Sequence, residues 1–401
     1  MNRQAKQSIS DLAYFGGAPC FERLVHVVHA STLQKERFLS MLDGVFERGQ
    51  FSNDGPLVRE FERRIEERLK VKHCMAICNG TTALQIAARA TGMRDEVIVP
   101  SFTFIATAHA LQWQGIRPVF CDVDPETHTL DPASVERMLT PRTSGIVGVH
   151  LWGVPCDIEA LSTLARGAQV PLIFDAAHAF GASHNGRMVG NFGSAEVFSF
   201  HATKLFHTFE GGAVVTSDSG LAAEIRLLRN FGFSDYDKVV SIGINGKMSE
   251  VSAAMGLAGL EILDRVIEAN RARYGSYARH LADVRGIALK DCSADGDGNC
   301  QYIVIEVEPD SCLLTRDQLL ALLHAENILA RRYFYPGCHR MEPYLTLQPS
   351  AGRELRNTER LADRVIVLPT GERMDEIMIE QICDVIKFVV GNSALIRLRL
   401  K

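Results

Sequence analysis

The sequence predicts an α/β protein whose main sheet is largely parallel and covered by helices on both faces, followed by a smaller α+β unit. Two observations carry the first part. Between about 74 and 216, short β-rich runs alternate with helical stretches, and the runs are apolar without clean polar alternation, as strands buried on both faces are. A change of texture after about 217 carries the second part: the helices lengthen, and beyond QYIVIEVEPD strands become sparse.

Taken in order, residues 1 to 30 are mixed and weakly periodic and read as an N-terminal arm. Residues 31–284 form the large domain and 285–401 the small one. Amphipathic helices are expected over 34–49 and 56–70. The second opens at Asp54-Gly55-Pro56 and carries Leu57, Phe61, Ile65 and Leu69 on one face. The strands are expected at Cys74–Cys78, Glu96–Val99, Arg117–Val123, Gly145–His150, Pro171–Asp175, Val197–Phe200 and Ala213–Thr216, with helices at 81–91, 103–114, 132–138 and 157–167. Helical stretches follow at 220–230 and 249–281, then 315–326 and 375–390. DCSADGDGNC (291–300) reads as an exposed loop.

Composition narrows the function classes. Hydrophobic residues make up 46% and charged residues 23%, an ordinary globular balance. Mean hydropathy is +0.01 and no apolar run reaches spanning length, so no membrane partner is expected. The start, MNRQAKQSISDLAYF, does not read as a secretory signal. A net charge of −5 without a basic block argues against a nucleic-acid partner. Ten cysteines without a CxxC pair make a disulfide framework or a zinc site unexpected, so no metal is expected and the cytoplasm is the expected compartment.

Three segments fall at predicted carboxyl ends of strands, where open α/β sheets bind ligands. In CNGTTAL (78–84), Gly80 permits an unusual turn and Thr81-Thr82 opens a helix, either a phosphate site or an ordinary capped turn. In PLIFDAAHAFGA, Asp175 follows an apolar strand with His178 three residues on; it is a partner for a protonated ring nitrogen, a helix cap or an ion-pair member. In EVFSFHATKLFHTFEGGAVVT, Ser199 ends a strand and Lys204 sits among Phe198, Phe200, Leu205, Phe206 and Phe209. Burial there lowers an amine's pKa and suits it to imine formation. A phosphate cradle, an Asp for a pyridinium and a downstream Lys together are what a pyridoxal phosphate site requires.

With FSNDGPLVREFE, VIVPSFTFIATAHAL, PVFCDVDPETHTLD and GINGKMSEVSAAMGL added to these pieces, the chain resembles the sugar aminotransferases of the DegT/DnrJ/EryC1/StrS family, from roughly 35 to 390. The resemblance implies an aspartate aminotransferase-like, fold type I large domain with a mostly parallel mixed sheet between helices, plus a smaller C-terminal α+β domain. It implies pyridoxal 5'-phosphate held as an imine on Lys204, with Asp175 at the pyridine nitrogen and His178 near the ring oxygen. Gly80, Thr81 and Ser199 then hold the phosphate and Phe104 stacks on the ring, although Phe104 flanked by Phe102 and Ile105 also suits core packing. Asn245, and less directly Lys247, reach a neighbouring subunit's phosphate, which implies a homodimer with shared sites. The related dehydratases carry His in place of the lysine, and this chain has Lys204.

The form of HLWGVPCD, GINGKMSE and FSFHATK is most similar to members that aminate dTDP-linked 4-keto-6-deoxyhexoses with L-glutamate as donor. Substrate candidates are Asn53, Trp152, Tyr333, Tyr335 and His339; Trp152 equally suits the core, and the Arg331-Arg332 pair suits a diphosphate or plain solvation. Amination at the sugar 3-position, a non-catalytic regulatory role and a dehydratase or epimerase on the same scaffold remain as alternatives.

Overall fold

A computed structural model describes residues 6–29, 34–292 and 298–400. The expected alternation builds a seven-stranded sheet. Its strands are β1 (His73–Ile77), β2 (Glu96–Pro100), β3 (Arg117–Cys121), β4 (Thr143–Val149), β5 (Leu172–Asp175), β6 (Ala195–Ser199) and β7 (Gly212–Thr216). They lie in the order β1-β7-β6-β5-β4-β2-β3. Neighbours run parallel except where β7 meets β6 and β1. The connection from β6 to β7 holds no helix to carry the chain across the sheet, so the strand returns antiparallel.

Both sheet faces are apolar because successive side chains alternate between two cores. Val97, Val99 and Val214 join Ala83, Ala87, Ala108 and Leu111 on one face. On the other, Ala213 and Val215 join Phe61, Ile65 and Leu69, while Ile98 and Ile146 join Leu161. The helices that supply these residues are α2 (Pro56–Leu69), α3 (Gly80–Ala90), α4 (Ala106–Gln112) and α6 (Ile158–Ala168), while α1 (Lys35–Arg48), α5 (Pro132–Met138) and α7 (Ser219–Leu228) add Met41, Val135 and Ile225. Pro56 at the first turn of α2, where no N–H is needed, starts that helix where the sequence indicates.

The C-terminal part has an antiparallel sheet of β8 (Ile287–Leu289), β9 (Ile303–Val307) and β10 (Val365–Leu368). The arm packs onto it: Leu12 is fully buried in the same core, and Val25 pairs with Ile328. Glu326, fully buried, accepts the backbone N–H groups of Ala13 (2.8 Å) and Cys20 (2.7 Å) and pairs with Lys6 at 2.9 Å. Of the expected arm, residues 1–5 and 30 lie outside the described residues.

Three expectations are corrected. The stretch 249–281 is two helices, α8 (Glu250–Leu260) and α9 (Leu263–Leu281), separated where the Ile262 N–H bonds back to Gly259 and Glu261 turns out to Arg37. A last helix, Ser393–Arg399, follows the one that was expected to close the chain. Cys292 and Cys300 are disulfide-bonded across the 291–300 loop at a separation of 8, wider than a CxxC pair, while the other eight cysteines are free; residues 293–297 of that loop lie outside the described residues. Among the described residues, no helix is long and apolar enough to cross a membrane, and no group of His, Cys, Asp or Glu forms a metal cluster.

Candidate active site

Strand register brings the three expected segments together. Gly212 pairs with both Ser199 and Ile77, so the ends of β6 and β1 flank one residue of β7, and Val197 pairs with Asp175 at the end of β5. The first turn of α3 starts beside them. Asn79 caps it by accepting the Thr82 N–H at 2.8 Å, leaving the N–H groups of Gly80 and Thr81 at the open end, where a helix has no internal acceptors for them. Gly80 is needed for close approach rather than for an unusual turn: its backbone is helical, and a Cβ there would fall 2.9 Å from the Ser199 Cβ. A Cβ on Gly212 would meet the Gly80 nitrogen at 2.8 Å. The open first turn thus sets the N–H groups of Gly80 and Thr81 close to Ser199, an arrangement of donors that suits an anion.

Asp175 lies buried at the end of β5. Thr107 on α4 donates its hydroxyl at 2.8 Å, and the Ala177 N–H donates at 3.1 Å. Burial raises the carboxyl above its ordinary range, and those two hydrogen bonds with the nearby Lys204 work against the rise. Lys204, in the turn after β6, feels the converse. Burial lowers its amine to about 8, opposed by Asp175, so a useful fraction is uncharged near neutrality. His178 stacks with Trp152 at 6.1 Å and tilts against Tyr302 at 4.6 Å. Burial holds its ring neutral, and its Nδ1 is buried with no hydrogen-bond partner. Phe104, two residues before α4, is 58% exposed, which is free ring area and not the core packing that the sequence left open.

Beneath the site runs a network that the sequence did not flag. His150 follows β4 and stacks on Phe174 at 4.5 Å. Its Nδ1 accepts the Cys156 N–H at 3.0 Å, which assigns the proton to Nε2 for donation to the buried Glu196 at 2.9 Å. Thr107, Tyr302 and Asn299 were also missed. Thr107 looks like any helical threonine, and the other two arrive from the C-terminal part of the chain. Asn299 donates to the carbonyls of His178 (2.8 Å) and Phe180 (3.1 Å).

The substrate candidates separate. Trp152 takes the core alternative: it is 1% exposed, donates to His128 Nδ1 at 3.3 Å and stacks on Phe334 at 5.2 Å. His339 is buried, with Nδ1 2.7 Å from Ser101 Oγ and Nε2 3.4 Å from Glu359. Tyr333 lies near the site, its ring 6.4 Å from that of Tyr302 and covered by Arg331 at 5.0 Å. Tyr335 is flanked by Arg332 at 4.4 Å and Arg316 at 4.9 Å. Asn53 lines a separate cavity of about 530 Å³ with Asp54, Arg229 and Lys247. Asn245 is exposed on a segment that runs beside β1, where Cys78 donates to the Gly246 carbonyl at 2.8 Å; within one chain it bridges to Asn230.

Residues 32–387 match the DegT/DnrJ/EryC1/StrS aminotransferase family. The chain belongs to this family. A dTDP-4-amino-4,6-dideoxy-D-glucose transaminase of Shigella dysenteriae is 37% identical over 366 residues, 91% of this chain and 99% of that one. A GDP-perosamine synthase of Caulobacter vibrioides is 36% identical over 335 residues, 82% of this chain and 89% of that one. Among solved structures, DesI in the presence of its TDP-sugar product superposes with a TM-score of 0.93 at 45% identity, over 98% of this chain and 100% of that one. The chain is therefore a sugar aminotransferase, dependent on pyridoxal phosphate and of fold type I. The residues present fit that cofactor: a close approach that a Cβ would fill, an orphaned imidazole nitrogen, a buried carboxylate and an amine of lowered pKa.

Proposed function

We propose that this aminotransferase moves the amino group of L-glutamate onto dTDP-4-keto-6-deoxy-D-glucose, giving dTDP-4-amino-4,6-dideoxy-D-glucose. The observation that carries the chemistry is Lys204, with its amine lowered to about 8 beside the buried Asp175. The sugar rests on similarity to the Shigella transaminase and to DesI, whose product is a TDP-sugar. Bound cofactor supplies an aldehyde that captures amines and a ring that withdraws electrons from the adjoining carbon.

The chain's own residues do the rest. Gly80 and Thr81 N–H groups and the Ser199 hydroxyl hold the phosphate, and Phe104 covers one face of the ring. Asp175, kept in place by Thr107, keeps a proton on the ring nitrogen, and the neutral His178 offers Nδ1 to the ring's oxygen side. Lys204 would hold the cofactor through its amine and would serve as the acid–base group that carries the proton at the reacting carbon.

Two chains share the sites, with Asn245 and Lys247 turned to the partner. Support comes from the hairpin 231–244, where Phe231, Phe233, Tyr236, Val239, Val240 and Ile242 are all exposed in one chain, an apolar strip that a second copy would cover. Eight of the ten cysteines are free, which favours a cytoplasmic setting, while the single Cys292–Cys300 bridge counts against it.

The test supplies the purified chain with cofactor, L-glutamate and dTDP-4-keto-6-deoxy-D-glucose and locates nitrogen in the product by NMR. Nitrogen on C4 with release of 2-oxoglutarate is expected. No turnover on the 4-keto sugar, with nitrogen on C3 when dTDP-3-keto-6-deoxy-D-glucose is supplied instead, would replace the assigned sugar position. Absence of turnover on this and on GDP-linked keto sugars, with cofactor bound, would overturn the enzymatic reading.

A further inference from the structure

Lys204 meets a residue from the far end of the chain. Its amine approaches the phenol oxygen of Tyr302 at 3.5 Å, long for a settled hydrogen bond but within reach of one small side-chain adjustment. Tyr302 immediately precedes β9, is 5% exposed, and packs edge-on against Trp152 at 5.5 Å and against His178 at 4.6 Å. Its position is braced: Asn299, three residues earlier, spends its amide on the carbonyls of His178 and Phe180. Burial keeps the phenol protonated well beyond any working pH, so it faces the amine as a neutral hydroxyl.

The titratable groups around the amine are few. Asp175 faces it from the end of β5, His178 from the loop after β5, and Tyr302 from the C-terminal part, with Tyr333 behind Tyr302. Of these, His178 is neutral and gives the ammonium no countercharge; Asp175 supplies charge, but its carboxylate accepts from Thr107 and Ala177, and the hydrogen-bond partner of the amine is Tyr302.

The geometry points to Tyr302 as a positioning residue for Lys204, its hydroxyl accepting from the ε-ammonium and holding the lysine arm in one orientation within the site. The inference rests on Lys204 being the reacting amine and not on which sugar is aminated. It gives the smaller sheet a direct hold on the reacting lysine: where β9 seats, the amine seats.

The experiment reads Lys204 without any sugar. The full-length chain is stripped of cofactor, pyridoxal phosphate is added from pH 6 to 10, and absorbance follows capture of the aldehyde by the amine with loss of water. Wild type is expected to show a midpoint of about 8. Tyr302→Phe keeps the ring packing but removes the acceptor, so the ammonium is less stabilised. Its midpoint is expected to fall by about one pH unit, with roughly five-fold faster capture at pH 7. Tyr333→Phe, a neighbour in the same aromatic stack without contact to the amine, is expected to leave the midpoint unchanged. Asn299→Ala, which unseats the segment yet retains the phenol, is expected to shift it in the same direction by less, and serves if Tyr302→Phe does not fold. A wild-type midpoint in Tyr302→Phe, or in Asn299→Ala where that variant serves, would overturn the assignment, as would an equal shift in Tyr333→Phe. Failure of sugar turnover alone would leave these midpoints unmoved and would count against the substrate reading instead.

Discussion

Two aromatic-rich segments with basic side chains, 196–212 and 331–344, look alike as sequence, and the fold treats them differently. The first hangs from the end of β6, and strand register sets Ser199 beside Gly80 and Gly212, with Lys204 close to Asp175. The second spends its side chains on protein: Phe334 stacks with Trp152, His339 is held by Ser101 and Glu359, and Tyr335 sits between two arginines. Residue type alone does not separate a reacting group from a packed one. Position at a strand's carboxyl end narrows the choice without deciding it, since His150 and Trp152 follow β4 and are packed.

That contrast can be broken by mutation. The largest effect is expected from Lys204→Ala, which should cut turnover by at least about a thousand-fold while the circular dichroism stays that of wild type. Asp175→Asn comes next, with a loss of roughly 10² to 10⁴ in kcat. Its effect on stability carries the opposite sign. Burial raises the carboxyl in the folded chain, so folding binds that proton more tightly than the unfolded chain does, and the ionised group costs stability once pH rises past the ordinary carboxylate range. The cofactor-free Asn variant should therefore melt above wild type at pH 7 and lose that advantage near pH 4; a lower melting temperature at pH 7 would contradict the account. Away from the site, Glu326→Ala should do the reverse. It strands Lys6 and two backbone N–H groups and should cost about 3 kcal/mol in denaturant unfolding, with kcat within about two-fold of wild type at 25 °C. The smallest effect is expected from Trp152→Phe, which retains the stack and gives up only the bond to His128; KM for the sugar should move by less than about three-fold. A ten-fold rise would return Trp152 to the substrate side.

The legible part of the molecule is the part whose geometry is local. Apolar runs without alternation indicated a two-faced sheet because β-strands place neighbours on opposite faces, and each of Val97, Ile98 and Val99 has a core to enter. Lys204, Asp175 and Gly80 could be singled out as candidates because each lies within a few residues of a strand end. Thr107, Asn299 and Tyr302 could not, since they meet Asp175, His178 and Lys204 across separations of 68, 121 and 98 positions, and nothing in their flanking sequence reports it. The same limit explains the Cys292–Cys300 bridge and the break between α8 and α9, both decided by packing partners elsewhere in the chain.

The central claim is that the amine at the end of β6 is the one that holds the cofactor. Borohydride reduction of the cofactor-loaded chain, followed by proteolysis and mass spectrometry, locates that bond directly. The account predicts a single pyridoxyl phosphate increment on the peptide containing Lys204; an increment on Lys247 with Lys204 unmodified would contradict it.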